Sequence, residues 1–321
     1  MKDDTGVAGV TKRLAQELIV NERVGTLAGF GLTPLALATA PLATQAKVPQ
    51  VVMAAATSMI TTASPYIVRS SVTLPQISEP MGEWAPQNGA KKVVTLVSDY
   101  GPGIDAERSF SAALTRSGGQ IVESLRVPLA NPDFSPFLQK VADARPDALY
   151  VFVPSGVGSQ FMKQFVEGGL DKSGVRLIGT GDVTEDDLLP QVGDVALGVI
   201  TTHHYSAAHD SPENKSFVEA FGKANNGMRP NFMAVGGYDG MHLIVEGLKK
   251  TNGQGGEALL NAMKGMSWTS PRGPISIDPQ TRDIIQNVYV RKVERRDGQL
   301  YNVEFATIPN VKDPGKAPKS N

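Results

Sequence analysis

Short apolar runs and helical apolar periodicities alternate along most of the chain. Runs at 24–29, 48–55, 91–99, 148–153, 175–180 and 195–202 predict strands, and helical patterns lie at 10–18, 35–46, 104–117, 137–144, 159–169, 214–226 and 232–250. In the first of these helices, Val10, Leu14 and Leu18 are spaced four apart and share one face. Strands that alternate with helices predict mostly parallel sheets flanked by helices. The number of units favours two α/β lobes over one sheet.

The end of the chain has a different pattern. Asp297-Gly298 separates two alternating runs within 287–306, which predicts an antiparallel hairpin. Beyond it, 309–321 combines prolines with Lys, Ser and Asn, so we expect a frayed tail.

Composition limits the classes of function. A chain of 321 residues with 41% apolar and 20% charged residues is long and apolar enough for two globular cores. The net charge is −1 and no Lys/Arg cluster stands out, which argues against a nucleic-acid partner. Pro34, Pro41 and Pro49 interrupt the charge-poor stretch 32–63, so it does not predict a membrane span. Cysteine is absent, which excludes thiol nucleophiles and thiolate metal sites.

A glycine-rich turn precedes the second predicted helix. Gly29 and Gly31 lead into Thr33-Pro34, but the third glycine of a dinucleotide fingerprint and the Lys of a phosphate loop are both missing. Thr33 is a good N-cap and Pro34 suits the first helical position. The amides of this first turn favour a carboxylate or similar anion, although the same residues also cap helices that bind nothing.

Further candidates lie where predicted strands end, the edge at which open α/β sheets bind ligands. Ala55 and Thr57 lie in the small-residue stretch 54–58, at the carboxyl end of the strand 48–55, which fits either a ligand contact or a simple turn. Tyr100 follows 91–99 and is expected to face whatever lies opposite that strand end.

Signals for catalysis and metal binding are weak. His203 and His204 are adjacent on a strand end and point opposite ways, so the pair does not suit one metal ion. The sequence has no Gly-x-Ser-x-Gly elbow and no His-Glu-x-x-His motif. The carboxylates at 182–187 fit the acidic start of a helix, and a catalytic acid/base pair there is the less favoured alternative. We predict no catalytic residue, no metal and no cofactor.

Several segments occur in one order from residue 2 to about 304. They are KDDTG, TKRLAQELI, APLATQAKVPQV, SDYGPG, NPDFSPFLQKVADARPDALYV, YSAAHDSPENKSFVEAF and GYDGMHLIVEGL. In sequence and spacing they resemble the branched-chain amino-acid (Leu/Ile/Val-binding) type of periplasmic solute-binding proteins of ABC transporters. The resemblance implies the type I periplasmic binding fold, a periplasmic location and delivery of a small solute to an ABC permease.

The resemblance also implies a division into lobes and a truncation. Two lobes, 1–89 with 229–284 and 90–228 with 285–321, would be joined by three crossings and close on the solute. The family's signal peptide and its opening strand and helix would precede Lys2. We therefore expect an N-terminally truncated chain that is less stable and binds weakly, because a missing central strand leaves backbone groups unpaired.

On the family's pattern, the ligand carboxylate lies at the helix start that matches Thr33 and Pro34. Asp182 matches the place where amino-acid binders hold the ligand's ammonium group. An inward Asp182 favours an amino acid, and an Asp182 that caps the next helix favours an aromatic or keto acid. The complete set of predicted ligand-binding residues is Thr33, Pro34, Ala55, Thr57, Tyr100, Ser155, Asp182, His203 and Tyr238. A ligand-sensing receptor domain of the same fold is the alternative function.

Overall fold

The computed structural model describes residues 1–316 and has the α/β architecture that the alternating patterns predict. The helices are α1 (Ala8–Val20), α2 (Thr33–Ala46), α3 (Leu74–Gln87), α4 (Gly101–Arg116), α5 (Ser135–Ala144), α6 (Gly158–Glu167), α7 (Leu189–Val192), α8 (Pro212–Ala224), α9 (Phe232–Lys250) and α10 (Gly256–Met263). The strands are β1 (Leu27–Gly29), β2 (Gln50–Val52), β3 (Ile67–Arg69), β4 (Lys92–Ser98), β5 (Gln120–Val127), β6 (Ala148–Phe152), β7 (Arg176–Thr180), β8 (Ile200–His203), β9 (Ser267–Ser270), β10 (Gly273–Ile277), β11 (Ile284–Arg296) and β12 (Gln299–Val311).

The smaller sheet contains three short parallel strands in the order β1-β2-β3. Val51 in β2 lies opposite Ala28 on one side and Val68 on the other. All residues of β2 and β3 are buried, as expected for a parallel sheet with helices on both faces. This arrangement brings the carboxyl ends of the strands, and the loops that follow them, to one edge of the sheet.

The larger sheet is mixed. Strands β5-β4-β6-β7-β8 form its parallel part, in which the carboxyl ends of β4, β6 and β7 are neighbours. Beyond β8 the strands β11, β10 and β9 follow in antiparallel pairing, and β12 pairs with β11. The predicted hairpin is confirmed, because β11 and β12 are joined through Asp297 and Gly298, both with positive φ.

Helix α3 packs on the larger sheet, although the predicted division at residue 89 assigns it to the first lobe. Its Ile77 and Met81 belong to the same buried cluster as Val93 and Val97 of β4. It also lies against α4, where Gly82 permits the close approach, since a Cβ at this position would lie 2.5 Å from the Phe110 carbonyl oxygen.

Helices α9 and α10 cover the smaller sheet. Val51 and Val68 share a buried cluster with Leu243 of α9 and Leu259 of α10. Ile275 of β10 joins the same cluster, so the far end of the larger sheet and the smaller sheet share a core. This packing places the first residues of α9 beside the gap between the two sheets.

The predicted frayed tail is wrong for residues 309–316. β12 extends to Val311, and Pro314–Lys316 form a 3-10 helix that contacts α3 and α4. The rest of the predicted tail, 317–321, lies outside the described residues. Within residues 1–316, no helix combines the length and the apolar character that a bilayer crossing requires.

Candidate ligand-binding site between the two sheets

A cavity lies between the smaller and the larger sheet and is lined from both sides. The loops after β1 and β2 supply one wall, the loops after β4, β6 and β7 supply the opposite wall, and α3 and α9 contribute the rest. Its lining residues are Gly31, Leu32, Thr33, Ala54, Ala55, Ala56, Val72, Leu74, Ile77, Tyr100, Pro102, Phe152, Pro154, Ser155, Asp182, Phe232 and Met233. Five of the nine residues predicted from the sequence are among them: Thr33, Ala55, Tyr100, Ser155 and Asp182.

The start of α2 forms one end of the wall. Leu32 is its N-cap and Thr33 its first helical residue, so the prediction of Thr33 as N-cap is one position late. The amides of Leu35 and Ala36 donate to the Leu32 carbonyl, and no residue in 1–316 accepts a hydrogen bond from the Thr33 amide. An unsatisfied amide at a helix N-terminus suits a ligand carboxylate. Pro34 is exposed and does not line the cavity, which corrects its predicted role.

Thr57 supports this wall from behind. Its hydroxyl lies 2.7 Å from the Thr33 hydroxyl, and the residue is buried without reaching the cavity surface. It is therefore a supporting residue, whereas the prediction made it a ligand contact. Ala55 lines the cavity between two other alanines, and their small side chains leave room for a ligand beside the backbone.

The opposite wall begins at Tyr100, which is the N-cap of α4. Its ring stacks on Phe152 at the end of β6, with centroids 6.2 Å apart and an interplanar angle of 16°. Burial raises the pKa of Tyr100 far above its usual value, and the Asp182 charge acts in the same direction, so the phenol stays neutral. Ser155 follows β6 and supplies a hydroxyl to the same wall.

Asp182 follows β7 and lines the cavity with a buried side chain. It lies in a 3-10 helix, Gly181–Thr184, and does not cap α7, which begins only at Leu189. Burial raises its pKa to about 6, while the nearby Thr180 hydroxyl and the Arg291 guanidinium act in the opposite direction. At neutral pH the cavity therefore contains an ionisable carboxylate that is costly to charge.

The acidic segment 182–187, which the sequence analysis assigns to the start of a helix, begins in the 3-10 helix Gly181–Thr184 and is largely buried. Glu185 and Asp186 are buried, and burial raises the pKa of both carboxyl groups. Asp186 accepts hydrogen bonds from the Asn302 side chain and the Ala207 amide. Neither of the two lines the cavity, so they hold this loop against its neighbours rather than face a ligand.

His203 lies behind the cavity wall. It is buried, its ring contacts Phe232 with centroids 5.1 Å apart, and its Nε2 lies 3.7 Å from Glu185 Oε1. Burial, followed by the charge of Arg291, lowers its pKa well below the usual value, so the imidazole is neutral. His203 is predicted to bind ligand, but in the structure it does not line the cavity and lies against Phe232 from behind. Within residues 1–316, no three His, Asp or Glu side chains are grouped as a metal site requires.

Tyr238 on α9 is predicted to bind ligand but does not line the cavity. Its side chain is 49% exposed and contacts Phe217 of α8, with centroids 5.1 Å apart. One residue further on, Asp239 points inward and pairs with Arg272. The α9 contribution to the cavity comes instead from Phe232 and Met233, at its first turn.

The sequence analysis also missed the contribution of α3. Val72, Leu74 and Ile77 form an apolar part of the cavity wall. Thr73 and Gln76 form a capping box at the start of this helix, with the Thr73 amide donating to Gln76 Oε1 at 2.9 Å. This Thr-x-x-Gln pattern is the signal that could have located the helix.

Two α/β units of this topology, with one cavity between their strand ends, define a binding protein of the two-lobed periplasmic type. The family model described as "Periplasmic binding protein" matches residues 1–299. The chain belongs to this family, and its fold is the type I periplasmic binding fold.

Individual relatives agree with this assignment. A solute-binding protein of an ABC transporter from Rhodopseudomonas palustris BisB5, solved with 3,4-dihydroxybenzoic acid, is 64% identical with a TM-score of 0.96, over 98% of this chain and 87% of that one. One from R. palustris, solved with 4-hydroxybenzoate, is 46% identical with a TM-score of 0.95, over the same shares of the two chains. The Leu/Ile/Val-binding protein homolog 6 of Brucella abortus (strain 2308) is 50% identical over 95% of this chain and 79% of its own length.

Proposed function

We propose that this chain is a periplasmic solute-binding protein that closes on a small aromatic carboxylate and delivers it to an ABC permease. It binds this solute without turning it over. The observation that carries the proposal is the cavity between the sheets, in which the start of α2 offers an unsatisfied amide to an anion. A carboxylate bound there meets backbone dipoles rather than a fixed cationic side chain, because no Lys or Arg among residues 1–316 lines the cavity.

The remaining walls favour a flat apolar body behind the carboxylate. Phe152, Phe232 and Tyr100 supply aromatic surface, and Leu74 and Ile77 supply aliphatic surface. An aromatic ring buries a large apolar area in such a site. The inward Asp182 is the position that the sequence analysis expects for an amino-acid ligand. The two relatives from R. palustris, which were solved with hydroxybenzoates, support an aromatic acid instead.

Closure is proposed to be a hinge motion of two lobes. The predicted division, 1–89 with 229–284 and 90–228 with 285–321, is kept with one change. The packing of α3 on the larger sheet favours a first crossing before Leu74. A ligand that touches both walls then stabilises the closed state, because only that state provides all of its contacts.

A panel of ligands tests the proposal. Thermal unfolding is measured with benzoate, 4-hydroxybenzoate, phenylacetate, leucine, isoleucine and valine, because a ligand bound only to the folded state raises the melting temperature. We expect aromatic acids to raise it and the aliphatic amino acids to leave it unchanged. Mass spectrometry of the incubated ligand is expected to recover it intact and stoichiometrically. A response to leucine alone would contradict the ligand class, and turnover would contradict the binding role.

A further inference from the structure

The residues that follow β12 return from the larger sheet to the smaller one. Their 3-10 helix, Pro314–Lys316, lies against α3 and α4 on the larger sheet. Just before it, Asp313 is buried and accepts a hydrogen bond from the hydroxyl of Ser58, which begins the 3-10 helix after β2 on the smaller sheet. The backbone also comes close here, since a Cβ on Gly315 would lie 2.5 Å from the Ser58 hydroxyl. Residues 312–316, here called the strap, therefore contact both halves of the molecule.

The far end of the strap is bound to a buried acidic group on the smaller-sheet side. Lys316 pairs with Asp283 and also donates to the Thr61 hydroxyl. Asp283 pairs in addition with Arg69 at the end of β3, with 3.0 Å between Oδ1 and Arg69 Nε, and both of these side chains are fully buried. Attachment through both Asp313 and Lys316 makes the strap a fourth connection between the sheets, beyond the three crossings that the family resemblance implies.

The strap is attached to the same loop that forms one wall of the cavity. Ala55 lines the cavity, and Arg69 donates to the carbonyls of Ala55 and Ser58, both at 3.3 Å. Between these two residues, the Thr57 hydroxyl contacts the Thr33 hydroxyl at the start of α2. A displacement of Ser58 relative to the larger sheet therefore moves the part of the wall that faces the ligand.

The hydrogen bond between Ser58 and Asp313 depends on how the two sheets are placed. The strap begins directly after Val311, the last residue of β12, whose carbonyl accepts from the Gln76 side chain of α3 at 2.9 Å. Asp313 is thus fixed to the larger sheet, whereas Ser58 belongs to the smaller one. A hinge motion that separates the sheets lengthens this contact, and the closed arrangement keeps it. Because the bond has a carboxylate acceptor and is buried, its loss shifts the balance between open and closed states measurably.

We propose that Asp313 is a positioning residue of the binding site: through Ser58, the strap holds the loop 55–58 in the closed arrangement and sets the population of the closed state. This inference rests on the proposed function, because it concerns closure of the same cavity. Asp313 does not line the cavity, so it acts on a ligand only through the wall. A smaller closed population lowers the apparent affinity in proportion. Loss of the bond is therefore expected to weaken ligand binding about five- to tenfold.

The test measures the distance between the lobes by electron paramagnetic resonance. The chain contains no cysteine, so two introduced cysteines carry the spin labels at defined places. Glu22→Cys, after α1, and Lys163→Cys, on α6, are at exposed positions on the smaller-sheet and larger-sheet sides. Distance distributions are recorded without ligand and with saturating 4-hydroxybenzoate, and calorimetry measures the affinity for the same ligand.

Four variants are compared in the labelled chain. Asp313→Ala and Ser58→Ala each remove the bond, and Asp313→Asn keeps a side chain that can form a hydrogen bond with the Ser58 hydroxyl. Asp171→Ala, which removes an exposed carboxylate from the larger-sheet side, is the control. We expect both bond-removing variants to shift the ligand-free distances to longer values and to weaken binding about five- to tenfold, while the ligand-bound distances stay unchanged. Asp313→Asn should largely restore both readouts, and Asp171→Ala should change neither.

The outcomes separate this proposal from the proposed function. If Asp313→Ala and Ser58→Ala lower only the melting temperature, and neither the ligand-free distances nor the affinity change, the strap stabilises the fold alone and its role in closure is overturned. An effect of Asp313→Ala that Ser58→Ala does not share also overturns it, because the bond between them would not carry the effect. If the unchanged chain binds no aromatic acid, the proposed function fails, and the ligand-free distances still decide whether the strap favours closure. Should Asp313→Ala not fold, Ser58→Ala decides the question.

Discussion

The main-chain amide of Ser58 donates a 2.9 Å hydrogen bond to Oδ2 of Asp105. Ser58 begins the 3-10 helix that follows β2 on the smaller sheet, and Asp105 lies in α4 on the larger sheet. The bond therefore joins the two halves of the molecule directly beside the cavity. Close contact at this point also needs Gly101, because a Cβ there would lie 2.9 Å from the Thr57 hydroxyl.

We predict that Asp105→Ala weakens ligand binding by about tenfold, because closure then forms one charge-assisted hydrogen bond fewer. Asp105→Asn keeps an acceptor and should lose less. Calorimetry with 4-hydroxybenzoate measures the affinity, and small-angle scattering measures compaction on ligand addition. Asp99→Asn, at an exposed carboxylate just before α4, serves as the control. Unchanged affinity and unchanged compaction in Asp105→Ala would show that this bond does not contribute to closure.

The paired hydroxyls of Thr33 and Thr57 provide a second test. Replacing either threonine by valine keeps its shape but removes the 2.7 Å contact between them. Only Thr33 lines the cavity, so Thr33→Val removes a ligand-facing hydroxyl as well. We expect Thr33→Val to lower the affinity for 4-hydroxybenzoate several-fold and Thr57→Val to lower it less, since a neutral hydrogen bond contributes about 0.5–1.5 kcal/mol.

A double-mutant cycle of these two valine variants distinguishes support from direct contact. If Thr57 acts only by holding Thr33, the double variant binds as weakly as Thr33→Val alone. A larger loss in Thr57→Val than in Thr33→Val would contradict the assignment of Thr57 as the supporting residue.

The sequence predicts the elements well where apolar pattern and turn residues agree. The pattern at 232–250 coincides with α9, and Asp297-Gly298 forms the predicted hairpin. Helix α3 was missed although its Thr73-x-x-Gln76 capping box is visible in the sequence. Pro80 and Pro86 lie inside this helix, and packing against α4 stabilises the helix around them. Tertiary contacts of this kind are not visible in a local pattern.

Part of the site was predictable from sheet topology, and part of it depends on tertiary packing. Thr33, Tyr100 and Asp182 follow strand ends, and the topology of a parallel sheet brings such positions to one edge. Tyr238 and Phe232 lie on the same helix, and only its packing decides which of them points inward. The direction of His203 likewise depends on the neighbouring β11 and α9, which are distant in sequence.

The buried ion pair of Asp239 and Arg272 is predicted to be a main determinant of stability. Arg272 Nε lies 2.8 Å from Asp239 Oδ2, and both side chains are fully buried. Asp239 also accepts from Trp268 Nε1 at 3.1 Å and from the Ser270 hydroxyl at 2.9 Å. Asp239→Ala leaves a buried guanidinium without its counterion, so we expect a loss of about 3–5 kcal/mol in the free energy of unfolding.

Urea unfolding followed by circular dichroism measures this loss. Glu246→Ala removes an exposed partner of Lys249 on the same helix and should leave the unfolding midpoint unchanged. If the two variants unfold at the same urea concentration, the Asp239–Arg272 pair contributes no more than a surface pair.

The ligand-free stability of the chain is predicted to depend on pH through Asp182. Burial raises its pKa from the ordinary 3.8 to about 6 in the folded state, so the folded chain binds this proton more tightly than the unfolded chain does. The contribution of Asp182 to stability therefore falls as the pH rises from about 4 to 6. Above about pH 6 this contribution stays unfavourable and no longer changes with pH.

Asp182→Asn avoids the cost of ionisation and should be more stable than the unchanged chain by about 1–3 kcal/mol at pH 7.5. At pH 4 this difference should nearly disappear. Urea midpoints of the two proteins without ligand, compared across pH 4 to 7.5, give the measurement. An Asp182→Asn chain that is less stable at pH 7.5 would contradict this expectation, because it would show that contacts in the folded state stabilise the Asp182 carboxylate.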